Sequence, residues 1–244
     1  MRARSNSAKG SDNFLSYGLQ IEVWGDYALF SRPELKTERM SYEVITPSAA
    51  RGLIESIFWH PGLRVVIDRI YVLRKFGEEL TDESKDESPI RFTNIRRNEV
   101  KSKVQAAKVR SMMEGGPAPM ICTGDDIQQR AATLLRDVHY VLEAHFELTA
   151  RAAPGDNEGK FKDIFRRRLE SGKAYAQPYF GCREFPAHFR AWPGGEIPAV
   201  GYSKDLGLEL YDMDYSNPRD IRPMFFHAQL KNGVVQVAGE KVLK

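Results

Sequence analysis

The sequence predicts an α+β protein: a ferredoxin-like (RRM-like) βαββαβ domain carrying an insertion, followed by a small C-terminal antiparallel β-sheet domain. Three observations carry this expectation. Several segments alternate apolar and polar residues with the period of a half-buried strand. Two others repeat apolar residues at three and four behind a capping residue, as an amphipathic helix does. Their order along the chain is strand, helix, strand, strand, insertion, strand, helix, strand.

In LQIEVWGDYALF, residues 19–30, the residues Leu19, Ile21, Val23, Tyr27 and Leu29 mark the first strand. Thr46 can accept a backbone N–H as N-cap and Pro47 suits the first helical position. The following Ala50, Leu53, Ile54, Ile57 and Phe58 predict a helix over 47–59 that ends near Pro61. Strands are expected at 64–74 and 92–100, separated by the acidic loop EELTDESKDE. Residues 103–130 contain GGPAP and no clear period, and read as an inserted mobile segment. RDVHYVLEAHFEL, residues 136–148, places Val138, Tyr140, Leu142, Ala144, Phe146 and Leu148 opposite Asp137, His139, Glu143, His145 and Glu147. That pattern predicts a strand covered on one side only. Asp156 and Asn157 offer caps for a helix at 158–171 with an apolar stripe of Phe161, Ile164, Phe165 and Leu169. PYFGCREFPAHF is the closing strand. Beyond it, 206–215 and 222–231 are expected strands, with Asn232-Gly233 as a hairpin turn. The domain plan is a disordered tail at 1–14, a ferredoxin-like domain at 15–195 with the 103–130 insertion, and a β domain at 196–244.

With 42% hydrophobic and 28% charged residues, the chain has the balance of a folded soluble protein, not of a disordered one. No apolar run approaches the roughly 20 residues of a membrane-spanning helix, and MRARSNSAKGSDN lacks an apolar signal core. Cys122 and Cys182 form neither a disulfide framework nor a zinc motif, so a cytoplasmic location is expected. The net charge of +3 is small but segregated. Residues 91–110 hold seven cations against one acid, and residues 160–168 hold five against one. Six acids crowd 78–87. Segregation of this kind gives a basic side that attracts phosphates. His139 and His145, with Glu143 and Glu147, share one strand face, and Asp125, Asp126, Asp212 and Asp214 add carboxylates. None has a recognisable metal-ligand spacing, so no metal and no cofactor is expected.

Three segments go further: WGDYALFSRPELK with SYEVITPSAARGLIESIFWHP, then QRAATLLRDVHYVLEAHFEL, then GKFKDIFRRRLESGKAYAQPYFGCREF. In order over residues 19–190, they resemble the CRISPR-associated Cas-five family of subtype I-C, in the repeat-associated RNA-binding superfamily. The resemblance implies a metal-independent endoribonuclease that binds a CRISPR repeat hairpin and cuts precursor crRNA at the stem base. It would then stay bound to the crRNA as a subunit of the interference complex, beside other Cas proteins. In that chemistry the ribose 2′-OH attacks the adjacent phosphorus and leaves a 2′,3′-cyclic phosphate, which needs a base, an acid and cations around the phosphorane. The resemblance also implies a tyrosine at the end of the first helix and a Lys-His pair at the start of the second. Here those positions read Phe58 and Lys160-Phe161, so only the lysine is retained. The nearest replacements are His60 and Lys162, giving Lys160, His60 and Lys162 as catalytic candidates. Lys101, Lys103, Arg166, Arg167 and Arg168 are phosphate-binding candidates, and Arg96, Arg97 and Arg183 are candidates for base edges. His139 and His145 are further RNA contacts, while Trp24, Trp59 and Trp192 are expected in the core. Two alternatives stand beside this reading: a non-catalytic crRNA-binding subunit of the same complex, and a metal-dependent DNA-cutting nuclease. Some nonspecific DNA binding, but no membrane association, is expected.

Overall fold

The computed structural model describes residues 18–35, 37–100, 105–118, 124, 127–217 and 219–244. The 1–14 tail, Lys101, Lys103, Cys122, Asp125 and Asp126 lie outside the described residues. Within them the chain is an α+β protein with a mostly antiparallel sheet and three helices. The first half contains β1 (Leu19–Ala28), β2 (Arg39–Met40), α1 (Pro47–Ile57), β3 (Leu63–Val72), β4 (Phe92–Val100) and α2 (Ala106–Met113). The second half contains β5 (Ile127–Leu148), α3 (Glu158–Glu170), β6 (His188–Ala191), β7 (Lys204–Asp214), β8 (Arg222–Lys231), β9 (Val234–Gln236) and β10 (Val242–Leu243). The sheet runs β10-β8-β9-β3-β5-β1-β6, with β2 and β4 also on β5, and β7 on β8.

β5 organises the sheet. Its C-terminal part lies between β1 and β3: residues 135–144 pair with β1 and 140–148 with β3. Its N-terminal part pairs residue by residue with β4, from Phe92↔Leu135 to Val100↔Ile127. At the change of partner Asp137 adopts φ 54, a left-handed conformation that aspartate tolerates better than most residues, and its carboxylate pairs with Lys75 at 2.9 Å. The strand is therefore longer than the 136–148 read from alternation. Residues 127–130, expected in a mobile insertion, belong to a two-stranded arm, and 106–113 form α2. The stretch IQQRAATLL at 127–135 does not alternate in polarity, so the first part of the strand leaves no periodic signal.

The two longer helices match their sequence signals. Thr46 Oγ1 accepts from the Ala49 N–H at 3.3 Å, and Ala50, Leu53, Ile54 and Ile57 are buried. Asn157 Oδ1 accepts from the Lys160 N–H at 2.8 Å, and Phe161, Phe165 and Leu169 enter the core. α3 closes in a Schellman arrangement: Gly172, at φ 62, and Lys173 donate to the carbonyls of Leu169 and Arg168.

Three expectations are corrected. The closing strand is His188–Ala191 only, because Gly181 and Pro186 interrupt the segment before it, leaving one bridge between Tyr179 and Pro186. The C-terminal strands, expected as a separate sheet, are hydrogen-bonded to the central one through β9 and β3. The Asn232-Gly233 turn at φ 48 and 74 forms as expected and directs β9 onto that edge. Finally, β5 is not open on its polar side. Glu143 is buried, accepting from Tyr71 Oη at 2.9 Å and from Arg69 Nη1 at 3.4 Å, and Val141 is fully covered. Cross-strand hydrogen bonds let that carboxylate remain out of solvent.

β7 packs against α1, where Arg51 pairs with Asp212 at 2.7 Å and Glu55 at 3.0 Å. The neighbouring Glu209 is fully buried, and among the described residues neither carboxylate oxygen has a hydrogen-bond partner. Burial, only partly offset by the Arg32 charge, pushes its carboxyl up to about 8. The unfolded carboxyl titrates near 4.5, so the folded state binds the extra proton and stability declines as pH rises from there towards 8. Glu209→Gln should therefore melt above the wild type in alkaline buffer, with the gap closing near the unfolded pKa. Thermal unfolding across that range checks it.

Candidate active site

The C-terminal end of α1 meets the N-terminal end of α3. Phe58 leaves the helix in an extended conformation, φ −150, and its ring packs 6.1 Å from that of Phe161. Phe161 is 1% exposed and also carries the His60 ring at 5.0 Å. Both phenylalanines act as packing residues. The last carbonyls of α1, which have no partner within the helix, are capped from downstream. Ile57 O accepts from Arg168 Nη1 at 3.0 Å and from the Tyr175 N–H at 3.3 Å, and Ser56 O accepts from the Ala176 N–H at 3.0 Å. The Arg168 guanidinium lies over the Phe58 ring at 5.4 Å. Gly62 allows a close turn here, because a Cβ on it would meet Ala152 Cα at 2.7 Å.

Around this aromatic pin stand the polar candidates. Lys160 Nζ is half-exposed and pairs with Asp156 Oδ1 at 2.8 Å. The other Asp156 oxygen accepts from the Ala153 N–H at 2.8 Å. The hydrogen bond from Lys160, then that from Ala153, hold the Asp156 carboxyl below the usual range, and the His60 charge acts in the same direction. His60 and Lys160 thus act on one carboxylate. The Gly62 N–H donates to His60 Nδ1 at 3.1 Å, so the neutral ring carries its proton on Nε2 and presents a donor there. Lys162 is two residues beyond Lys160, about 200° around the helix, and does not share its face.

Two aromatics extend the site. Trp59 is 58% exposed, against the expectation that it is core, because the chain has already left the helix where it emerges. Tyr175 is 82% exposed and is brought alongside by its own N–H on Ile57 O. Sequence reading missed Tyr175, since a loop residue placed by one long-range backbone bond leaves no periodic signal. Trp24 and Trp192 are half-buried.

The remaining candidates fall into separate groups. Arg166 is exposed and pairs with Asp163 at 3.4 Å, while Arg167 Nε donates to the Asp163 carbonyl at 3.3 Å. Arg168 turns inward as described above. Arg96 and Arg97 lie on β4, and Arg97 reaches Glu184 at 3.5 Å and also pairs with Glu99. Exposed Arg183 precedes Glu184, which ties its loop to Arg97, while Arg96 projects from the opposite face of β4.

The histidines of β5 are occupied. His139 Nε2 meets Glu22 at 2.9 Å and its Nδ1 meets the Arg74 carbonyl at 2.7 Å. His145 Nδ1 meets Asp68 at 2.9 Å. With both ring nitrogens engaged, His139 has none left for RNA. Burial alone would raise the Glu22 carboxyl, but hydrogen bonds from Arg190 and His139 outweigh it and hold it low. Asp212 and Asp214 pair with Arg51 and Lys244. Among the described residues no group of three or more metal-ligating side chains converges, and no helix is long and apolar enough to cross a membrane.

Comparison with known proteins adds the family. Residues 18–238 match the Cas_Cas5d family, described as CRISPR-associated protein (Cas_Cas5). A protein of Mannheimia succiniciproducens named CRISPR pre-crRNA endoribonuclease Cas5d is 43% identical over 227 residues, 90% of this chain and 94% of that one. A Thermus thermophilus protein of the same name is 38% identical over 240 residues, covering 91% and 92%. A crystal structure described as a CRISPR-associated protein shares the fold, with TM-score 0.61, 18% identity and coverage of 93% and 96%. A Streptococcus mutans protein, SMU1763c, described as functionally uncharacterized, is as close, with TM-score 0.61, 18% identity and coverage of 93% and 97%. Match and fold define a CRISPR-associated protein of the Cas5 type. Within that type, this chain belongs to the Cas5d family.

The different uses of neighbouring arginines give a test. Arg168→Ala removes the cap of α1 and the cover of Phe58, and should lower unfolding free energy by about 1–2 kcal/mol. Arg166→Ala, on the solvent side, should stay within about 0.5 kcal/mol of wild type. Denaturant titration compares them.

Proposed function

We propose that this protein is a pre-crRNA endoribonuclease that cuts a CRISPR repeat hairpin at the base of its stem, without a metal, in the cytoplasm. The observation that carries the reading is the helix junction, where Lys160, His60 and two exposed aromatics surround one buried phenylalanine pin. The strand order β6-β1-β5-β3, with α1 and α3 as its connections, supports a ferredoxin-like reading of residues 15–195. In that reading α2 belongs to the 103–130 insertion, β4 is an extra strand before it, and residues 196–244 are an addition.

The scissile phosphate sits at the junction. The 2′-oxygen bonds to phosphorus as its proton passes to a water, and the P–O5′ bond breaks as the 5′-oxygen takes a proton from a second water, so the proton count is unchanged. Lys160, oriented by Asp156, stabilises the charge gathered on the phosphorane. His60 donates a hydrogen bond from Nε2 to the departing oxygen and eases the charge that gathers there as the bond breaks. Lys162 and Arg166, on the outer side of α3, hold neighbouring phosphates, and Trp59 stacks a base beside the cut. Arg96, Arg97 and Arg183 steer the stem, whose deep groove offers little base readout. Lys101 and Lys103 belong to the same basic segment of the sequence. After cutting, the protein keeps the crRNA and joins the other subunits of the subtype I-C interference complex. Phosphate affinity of this kind also gives weak, salt-sensitive DNA binding.

A second reading, a crRNA-binding subunit without catalysis, is favoured by one observation: Phe58 and Phe161 occupy the two positions where the family resemblance implies proton-handling side chains. Incubation with the cognate repeat RNA in EDTA separates the two. One cut with a 2′,3′-cyclic phosphate end supports the nuclease, and intact RNA held tightly supports the subunit. Lys160→Ala should slow the cut by about a hundredfold or more while changing RNA affinity by less than about threefold. Equal losses in both would make Lys160 a phosphate contact only.

A further inference from the structure

The junction, with the residues placed there so far, is short of positive charge. A phosphorane formed by attack of the 2′-oxygen on a phosphodiester carries two negative charges on its non-bridging oxygens once the 2′-proton has left, and these must be met by fixed donors or cations. Lys160 brings one charge, which Asp156 already matches at 2.8 Å. His60 offers a neutral N–H, because its Nδ1 accepts from the Gly62 N–H. Arg168 is engaged by Ile57 O and the Phe58 ring, and Lys162 leaves α3 on another side from Lys160. None of these supplies an uncompensated cation.

The loop between β5 and α3 carries one, and it touches the surroundings of both candidates. Thr149 ties its start to the turn after His60: the N–H donates to Gly62 O at 3.0 Å and Oγ1 donates to Pro61 O at 2.7 Å. Ala152 then lies against the same turn, since a Cβ on Gly62 would stand 2.7 Å from Ala152 Cα and 3.2 Å from His60 Nδ1. One residue further, the Ala153 N–H donates at 2.8 Å to Asp156, the carboxylate that holds Lys160. Between Thr149 and Ala153 the one charged side chain is Arg151.

Arg151 combines a fixed backbone with a free head group. Its N–H donates to Thr149 Oγ1 at 3.2 Å, and the Ala152 N–H donates to Thr149 O at 3.0 Å, which closes a tight turn beneath it. The side chain is exposed, and among the described residues its guanidinium has no hydrogen bond and no ion pair. Nearby cations differ in this respect: Arg64 pairs with Glu147, Lys160 with Asp156 and Arg166 with Asp163. Arginine is always charged, and its planar fork of N–H donors matches two oxygens of one phosphate.

We infer that Arg151 is a further catalytic residue, whose guanidinium binds the non-bridging oxygens of the scissile phosphate and neutralises the charge that develops on them. The inference rests on the function proposed above. It adds no proton transfer, because arginine stays protonated throughout. Arg151 supplies the net charge, while Lys160 and His60 act beside it.

The test measures single-turnover cutting of the repeat hairpin by the full-length protein in EDTA, with affinity taken from the same hairpin blocked by a 2′-deoxy residue at the cut. Arg151→Ala should cut about a hundredfold or more slowly, while its affinity for the blocked hairpin falls by no more than about fivefold. Arg151→Lys, which keeps the charge without the fork, should recover part of the rate. Sulfur in place of one non-bridging oxygen at the cut gives a readout that a folding defect would not move. One of the two diastereomers should slow the wild type about tenfold but Arg151→Ala by less than about twofold, because the contact that the sulfur disturbs is then already absent. Wild-type rates in Arg151→Ala, equal losses of rate and affinity, or an undiminished sulfur effect would each overturn the catalytic role while leaving the nuclease reading intact. A wild type that leaves the repeat uncut would overturn both.

Discussion

The fold depends on one strand whose two edges are occupied by different partners. β5 extends for 22 residues, and no stretch of it is without a paired neighbour. Backbone groups buried in a sheet must be hydrogen-bonded, so each neighbour of β5 is fixed in register by the same spine. Asp137 is the point at which that spine changes hands, from the β4 arm to β3. Its ion pairs with Lys75 and Arg91 anchor the bend to the loop between those partners.

From this spine the position of the site follows. Phe146 of β5 meets Phe165 of α3 at 5.7 Å, which sets the height of α3 on the sheet. One turn earlier in α3, Phe161 then meets Phe58 and His60 at the end of α1. The Gly62 turn and the connection after β5 are clamped together by the Thr149 N–H on Gly62 O at 3.0 Å and by Thr149 Oγ1 on Pro61 O at 2.7 Å. The junction is thus held by apolar contact, backbone hydrogen bonds and the side chains of Arg168 and Thr149, which leaves Lys160 and His60 at its solvent side.

How much of this was legible depended on the range of the signal. Thr46 and Asn157 cap as their identity suggests, because an N-cap is decided within three residues. The core faces of α1 and α3 follow from spacing for the same reason. Of the arm, β4 was legible at its observed bounds, 92–100, but residues 127–135 of β5 that pair with it were not, because IQQRAATLL does not alternate in polarity. Glu22 and Glu143 break the in–out pattern because partners from other strands, Arg190, His139, Tyr71 and Arg69, make their burial tolerable. Pairings of that kind, as with Tyr175 on Ile57, join residues distant in sequence and appear only in three dimensions. The run Arg166 to Arg168 shows the same limit. Its charge was visible, but the helix period sends Arg168 inward onto Phe58 and leaves Arg166 to solvent.

The two phenylalanines at the junction show how packing and chemistry trade against one another at one position. A phenol or imidazole buried as deeply as Phe161, at 1% exposure, needs a hydrogen-bond partner or loses stability. Phenylalanine removes that requirement and pins the helix ends by contact alone. On the function proposed above, the polar groups of the site then come from residues that lean on the pin without being part of it. His60 meets this condition, with its ring on Phe161 and its Nδ1 fixed by the Gly62 N–H. Lys160 meets it from the other side, tethered to an aspartate that itself closes the loop before α3. The pin itself carries no titratable group, so the contact between the helix ends is apolar while the polar groups that lean on it face the site.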